Sequence, residues 1–598
     1  MLETNESNNN TTAKLILIYS IRIFKILRKE SPSVLYVIIF FSFVSGFVPP
    51  LMLVVMREII AQLEIPIMDF RSILLFIIIY LSIEVISEII TNIQNYLTFK
   101  LQNITTLTIK EMIFNKSINL SLRQYENSNT YDMIQRAQNN QGYSIFAYFS
   151  IFLIVLKISI SIIGYIIIII FWRWIVLIPL IAFSVIRTVL IAKLSKKQFE
   201  IVRERTDKER ERWYYEFLLT NDIAFKEIKL HKIGRFFINR YKELFKGIFT
   251  QDKKIQKEFS IIQTILSLLD IIITGVVFIV LILDAVVGAI LIADTITFMR
   301  SFISLKSNIV GLMGQFSSIY QKSLYIGQLF EFLDQKEENS NEGIEISKIE
   351  LIEIFDLSYK YPNSGKYVLQ NINLKIERGQ LLAIMGKNGS GKSTLLKLIS
   401  GYYADYEGEI FINKINLKEL NKDVYRKHIS VFFQDYTKFE LSVRDNVSLS
   451  KVSQRENDIK IEKNLVTFHM SQDYYKHLDK RLGFWFPGGT QLSGGEWARI
   501  ALARVFFKES SLNIFDEPNA SLDAEMERTA FAQIRKLTTK NISIIVTHKM
   551  SNLKHYVDNM LVMHKGEIVA MGLHEDLINS PFYRELLQEE MKENDINE

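Results

Sequence analysis

Apolar residues crowd the first half of the chain in long unbroken stretches, whereas the second half alternates short apolar runs with polar turns. Residues 34–56 contain no charged side chain. As a helix rising ~1.5 Å per residue, such a stretch is about 35 Å long and crosses a hydrocarbon core of ~30 Å. Stretches at 72–90, 144–170, 174–191, 260–283 and 295–313 read as five further spans, and Pro49 and Pro50 predict a kink in the first. Phe171, Trp172, Arg173 and Trp174 form a short aromatic and basic turn between the third and fourth spans, suited to the outer interface. On the other side the connections are long, about fifty residues after the second span and nearly seventy after the fourth, with helical periodicity and many charges. Spans that continue as helices well beyond the bilayer are expected. Each long connection has a break, at Glu126, Asn127, Ser128, Asn129 and Thr130 and at Leu219, Thr220, Asn221, Asp222 and Ile223. Cap-type residues there predict short transverse helices that touch the second half of the chain.

Ahead of the first span, the Asn- and Thr-rich first dozen residues read as a disordered tail. Residues 13–30, with Arg22, Lys25, Arg28 and Lys29, read as an amphipathic helix along the membrane surface. Basic residues before the first span and at 193–212 put both of these segments, and with them both ends of the chain, on the cytoplasmic side. Ionisable residues inside spans are costly and therefore paired or facing water. Glu84, Lys157 and Asp270 lie at similar depths, so Lys157 is expected to pair with Glu84 or Asp270, with Glu88 facing a water-filled cavity and Arg300 and Lys306 lining it.

Past an acidic, polar linker at 334–348, strand and helix patterns alternate to the end, an α/β arrangement with an antiparallel portion. The expected fold class is a membrane α-helical bundle of six transmembrane helices with long cytoplasmic extensions, fused to an α/β P-loop nucleotide-binding domain. Its parts are a tail and surface helix at 1–33, the membrane bundle at 34–333, the linker, and a nucleotide-binding domain at 349–598.

The chemistry lies in that last part. Gly386, Lys387, Asn388, Gly389, Ser390, Gly391, Lys392 and Ser393 match G-x-x-x-x-G-K-[ST], between a strand-like run at 381–385 and a helix-like run that begins at Thr394. Such a loop wraps a nucleotide triphosphate in backbone N–H groups at a helix N-terminus, Lys392 adds a point charge, and the Ser393 hydroxyl suits Mg²⁺. A buried strand at 511–515 leads to Asp516 and Glu517, whose side chains point to opposite faces. Asp516 suits the Mg²⁺ shell and Glu517 an attacking water. Ser493, Gly494 and Gly495 open a second helix and so a second anion site, which one triphosphate does not need. Gln434, after an apolar run, places a neutral amide within reach of metal or water, and His548 ends a strand where an imidazole reaches a γ-phosphate.

Composition narrows the reading further. The hydrophobic fraction of 48% beside 23% charged residues fits a membrane half and a soluble half, and a net charge of +6 fits a cytoplasmic membrane face rather than a nucleic-acid surface. The absence of cysteine excludes disulfides, thiolate metal sites and any built-in cysteine peptidase.

Together these residues resemble the ATP-binding cassette family over essentially the whole chain. The resemblance implies that Tyr361 stacks on adenine, that Lys392, Ser393 and Thr394 hold the phosphates and Mg²⁺, and that Gln434 links the metal to the membrane half. It also implies that residues 492–496 are the signature sequence, Glu517 the catalytic carboxylate, Asp523 part of a loop that reaches across a dimer, and His548 a switch histidine. Six spans ahead of one cassette look like a half-transporter of the exporter type, a homodimer or close heterodimer whose two ATP sites form between opposed copies. Glu496 departs from the pattern, since Gln is commonest there. A narrower resemblance rests on Tyr361, Pro362, Asn363 and Ser364, on Leu482, Gly483, Phe484, Trp485 and Phe486 ahead of Gln491, and on residues 213–230. These look like exporters of lanthionine-containing peptides that lack a peptidase domain, which work beside peptide-modifying enzymes in the membrane of Gram-positive cells. The competing readings are a lipid or multidrug exporter and a cassette protein that spends ATP on signalling or immunity.

Overall fold

A computed structural model describes residues 3–65, 69–127, 130, 133–134, 141–222, 224–338, 342–362, 364–519, 521–547 and 553–597. The chain forms two units, Met1–Ile118 with Asn129–Gln335, and Asn119–Ser128 with Lys336–Glu598.

The first unit is helical. Helix α1 (Glu3–Glu30) takes in the segment expected to be disordered, because no Gly or Pro before Pro32 stops the helix from running back through the Asn-rich stretch. Helices α2 (Pro32–Glu64) and α3 (Phe70–Ile118) follow; at 49 residues α3 is ~70 Å long, more than twice a hydrocarbon core. The next helix, α4 (Leu122–Tyr125), is one turn long and belongs to the second unit. Helices α5 (Gln141–Arg173), α6 (Leu177–Glu204), α7 (Thr206–Thr220), α8 (Phe225–His231), α9 (Gly234–Val286) and α10 (Ile292–Leu333) complete the first unit. Among the described residues four stretches are long and apolar enough to cross a membrane, Pro32–Glu64, Phe70–Ile118, Ile145–Val202 and Gly234–Val286. The third of these is folded as two helices, α5 and α6, around the turn at Trp174–Val176. Helix α10, which carries Asp294, Arg300 and Lys306, is not among these four stretches.

Pro49 and Pro50 sit inside α2. A proline nitrogen at position 50 leaves the carbonyl of Gly46, four residues back, without its helical donor. The Ser161 hydroxyl of α5 donates to that carbonyl at 2.7 Å. Small residues allow the approach: a Cβ on Gly46 would lie 2.7 Å from Ile160, and one on Gly164 2.6 Å from the Pro50 ring. At the far ends of the spans, Trp172 and Arg173 donate to Asp284 at 3.1 and 2.9 Å, and Arg57 to Asp294 at 2.6 Å.

The expected pairing of Lys157 is corrected here. Asp270 on α9 pairs with Lys306 on α10 at 3.1 Å, and Lys306 also donates to Thr274 at 2.8 Å. The faces of the helices decide contact, and Lys157 and Glu84 point away from the packed side of this chain. Glu88 is exposed and accepts from Asn92, one turn along α3, at 3.1 Å.

The second unit carries two sheets. An antiparallel sheet in the order β2-β1-β4-β5 uses β1 (Leu351–Tyr359), β2 (Leu369–Glu377), β4 (Glu407–Ile412) and β5 (Ile415–Asn416). The other has the order β10-β9-β3-β8-β7-β6, from β3 (Leu381–Met385), β6 (Ile429–Phe432), β7 (Leu512–Asp516), β8 (Ile542–Val546), β9 (Asn559–His564) and β10 (Glu567–Gly572). Its strands are parallel except for β10, and β3, β7 and β8 are buried end to end, as continuous apolar runs require. One apolar core lies between the two sheets and around α11 (Lys392–Ile399). A second, on the other side of the parallel sheet, takes in α12 (Val443–Ser448), α13 (Asp458–Thr467), α14 (Gly494–Lys508) and α15 (Ala524–Thr538). The last helix, α16 (Pro581–Asn597), packs Leu586 and Leu587 on this second core.

Candidate functional site

Parallel strands leave their C-terminal ends at one edge, and that edge gathers the residues singled out from the sequence. The loop after β3 turns on Gly386 (φ +147°), Gly389 (φ +80°) and Gly391 (φ +103°). Two of these glycines are also forced by space, since a Cβ at 386 would stand 2.3 Å from the Met563 carbonyl oxygen and one at 391 2.7 Å from Leu369. The loop opens α11, whose first residue, Lys392, is buried and donates to the carbonyls of Gly386 and Lys387 at 2.6 and 3.1 Å. Burial pulls its pKa below the usual lysine value, partly offset by Glu517 and Asp516. Ser390 Oγ is buried without a hydrogen-bond partner among the described residues. An orphaned donor beside a buried ammonium, at a helix N-terminus, fits an anion.

Asp516 ends β7 buried. Burial pushes its carboxyl above the usual range, and a hydrogen bond from Ser393 draws it part of the way back. The next residue, Glu517, takes a left-handed backbone (φ +50°), which a side chain with a Cβ adopts at a cost and which clusters at functional sites. That turn is held by Glu517 N–H donating to the Val546 carbonyl at 2.9 Å, and the Glu517 carboxylate accepts from Gln434 Nε2 at 2.7 Å. Tyr361 shares a hydrogen bond with Thr394 at 3.2 Å and sets its ring edge-on to Tyr359 and Tyr403. Lys392, Ser393, Asp516, Glu517 and Gln434 are thus brought to one place. His548 lies outside the described residues, as does Asn363.

The donor set also suits Mg²⁺. A hydroxyl bonded to a buried carboxylate offers hard oxygen ligands, and among the described residues no group of three His, Cys, Asp or Glu forms a dedicated cage. That matches an ion held by one carboxylate together with substrate phosphates.

A second cluster assembles around the start of α14. Ser493 caps the helix, its hydroxyl accepting the Glu496 N–H at 3.3 Å while Glu496 Oε2 accepts from Ser493 N and Oγ at 2.9 Å each, a reciprocal capping box. Glu496 is therefore at home as an N3 acid. A Cβ on Gly495 would lie 3.1 Å from the Ser521 carbonyl oxygen. Asp523 caps α15 through Met526 N–H at 2.8 Å and pairs with Arg499 of α14 at 2.9 Å; both hydrogen bonds hold its carboxyl below the usual range. Among the described residues no hydrogen bond joins Ser493, Gly494 or Gly495 to the loop at 386–394.

Several details add to the sequence reading. In the first long connection the one-turn helix α4, with its capping box of Ser121 and Gln124, lies ahead of the expected break; beyond the break Thr130, Met133 and Ile134 are helical, and the rest of the helix expected there lies outside the described residues. Next to α4, Glu126 accepts from Tyr403 at 2.8 Å and from Lys397 at 3.2 Å, so the helix that begins at the phosphate loop ends on this connection. In the second connection the short helix α8 begins at Phe225, just after Asn221 and Asp222, as the expected break predicts. Arg499 was not singled out, although its place on α14 is readable from helical spacing. Lastly, the Lys387 ammonium turns away from the loop interior to Glu585 and Glu589 of α16, at 2.6 and 2.7 Å, which push its pKa up to about 12.

Residues 369–520 match the family model described as ABC transporter. The chain is 31% identical over 582 residues to the subtilin transport ATP-binding protein SpaT of Bacillus subtilis, covering 96% of this chain and 94% of that one. It is 34% identical over 579 residues to the nisin transport ATP-binding protein NisT of Lactococcus lactis subsp. lactis, covering 95% of both. An ATP-dependent lipid A-core flippase of Francisella tularensis is 32% identical over 254 residues, 42% of this chain. Among solved structures, a bacterial Atm1-family ABC exporter with ATP bound has a TM-score of 0.77 at 18% identity, covering 94% of this chain and 98% of that one, and so shares the fold.

Proposed function

The chain belongs to the ABC transporter family and couples ATP hydrolysis to transport, and from that premise we propose that it exports a lanthionine-containing peptide across the cytoplasmic membrane of a Gram-positive cell. The observation that carries the cargo assignment is the likeness to the subtilin and nisin transport proteins along nearly the whole chain, membrane half included, where cargo is chosen. The likeness to a lipid flippase covers less than half of it.

In this reading the protein is a homodimer with both ends of each chain cytoplasmic, membrane helices at 34–333 and a cassette from 349. The loop at 386–393 binds the triphosphate, with Lys392 and the unpaired Ser390 hydroxyl facing phosphate oxygens and Tyr361 facing adenine. Ser393 and Asp516, aided by Gln434, would hold Mg²⁺, which supplies charge neutralisation at the phosphates when bound. Glu517 orients the attacking water once Gln434 releases it, and His548 supports the γ-phosphate. Ser493, Gly494 and Gly495, which open a second helix N-terminus that one triphosphate does not need, serve the ATP held by the partner copy in this reading, with Asp523 at the contact. ATP binding then favours the closed dimer by its differential affinity, and hydrolysis releases it.

Glu517→Gln is expected to bind ATP with ordinary affinity while hydrolysis falls by about 100-fold or more. In sealed vesicles the unaltered chain should accumulate a leader-bearing modified peptide in an ATP-dependent way, and lipid or dye substrates should not compete. Accumulation of lipid instead would support the flippase reading, and hydrolysis without accumulation of anything a signalling role.

A further inference from the structure

Two acids on one face of the last helix grip the phosphate loop from outside. Glu585 and Glu589 are one turn apart on α16, which puts them on the same side. Lys387 Nζ sits between them at 2.6 and 2.7 Å. The helix is well seated: Tyr583 is fully buried and bonds His574 Nδ1 at 2.5 Å, and the Phe582 ring lies 4.7 Å from that of His564. His564 ends β9, the strand that pairs with β3 and whose Met563 carbonyl crowds Gly386. Helix and loop are therefore built on the same strand end. Lys387 itself is a junction, since its carbonyl accepts from Lys392 Nζ at 3.1 Å and from Ser390 N–H at 3.1 Å, while its side chain is drawn out to α16.

We propose that Glu585 and Glu589 are positioning residues that hold Lys387 away from the triphosphate, so that α16 sets the affinity of the loop for ATP. The inference rests on the reading of this loop as the ATP site. A loop with Lys387 free would offer phosphate two ammonium groups. The clamp withdraws one and leaves a net negative charge beside the entrance, so the acids weaken ATP binding while they fix the backbone that Lys392 uses. A released Lys387 ammonium at ~5 Å from the doubly charged Mg·ATP in water is worth roughly a three- to tenfold change in affinity at low salt, and much less above a Debye length of screening.

The test is made on the full chain in detergent or nanodiscs, with Mg·ATP as the ligand. Glu585→Gln with Glu589→Gln should lower the KM for ATP by about three- to tenfold at low salt with kcat changed less than about twofold, and the shift should fade near 0.5 M salt. In a Lys387→Met background the same double change should move KM by less than half as much, because no ammonium remains to release. In a Lys387→Arg background the double change should again lower KM, since a guanidinium also spans two carboxylates and is released when they are neutralised. An unchanged KM in the double variant, or an equal shift in the Lys387→Met background, overturns the proposal; should the double variant not fold, the exposed single change Glu589→Gln, with part of the shift expected, decides in its place. If the parent chain binds no ATP, the reading of the site fails instead.

Discussion

Asp516 shows how a single side chain trades stability for function. Its buried carboxyl has a pKa above the ordinary value, so between the two values the folded state binds more protons than the unfolded one, and stability falls as pH rises through that window. Where it is ionised, the buried carboxylate is a net cost until a cation and phosphate meet it. Asp516→Asn should therefore raise the thermal midpoint of the nucleotide-free protein, by ~2–4 °C for each kcal/mol relieved, and flatten its dependence on pH on the acid side of neutrality. ATP hydrolysis should fall by about 100-fold or more in the same variant. A thermal shift series from pH 5 to about 8 with an ATPase assay checks both. The residues of this loop were legible because glycine spacing, strand and helix each leave a mark on sequence. The hydrogen bond from Gln434 to Glu517 was not, because 83 residues separate them and only the pairing of β6 with β7 brings them together.

Among elements, the contact of α2 with α5 is the clearest case of one sequence feature being completed by another. Pro50 frees the Gly46 carbonyl, Ser161 bonds it, and Gly164 makes room for the proline ring. Ser161→Ala should cost about 1 kcal/mol, as interhelical hydrogen bonds in membranes do, and Gly164→Leu considerably more because nothing can yield around the ring. Thermal inactivation of the purified protein measures both, and an unaltered Ser161→Ala half-life would remove the hydrogen bond from the account. The Lys306 pair with Asp270 teaches the complementary lesson. Both residues stand out in the sequence as charges within apolar stretches, yet α9 and α10 had to be packed before partners were known. Likewise α4 and Glu126 lie about 270 residues before Lys397 and Tyr403 in the chain, and only folding sets them at the end of the helix that starts with Lys392.

For the whole molecule, the proposed homodimer, in which Ser493 serves the ATP of the partner copy, predicts that sites are shared between copies. Lys392→Ala and Ser493→Arg should each abolish hydrolysis in homodimers. Co-expressed and purified as a mixed dimer, they should regain a measurable fraction of it, since one site then combines an intact loop with an intact Ser493. No recovery would mean that each chain is complete in itself. The absence of cysteine helps such work, because differentially tagged chains carry no native thiol to cross-link.

The sequence by itself determined which stretches are long and apolar, where the glycine loop and the strand-end acids lie, and the family, because hydrophobic length, glycine spacing and strand-end acids are local properties of the chain. Tertiary structure decided the partners: Asp270 with Lys306, Glu126 with Tyr403, Gln434 with Glu517, and Lys387 with Glu585 and Glu589. A side chain's charge is written in its residue type, but its neighbour is chosen by which faces the packed helices and strands turn toward each other.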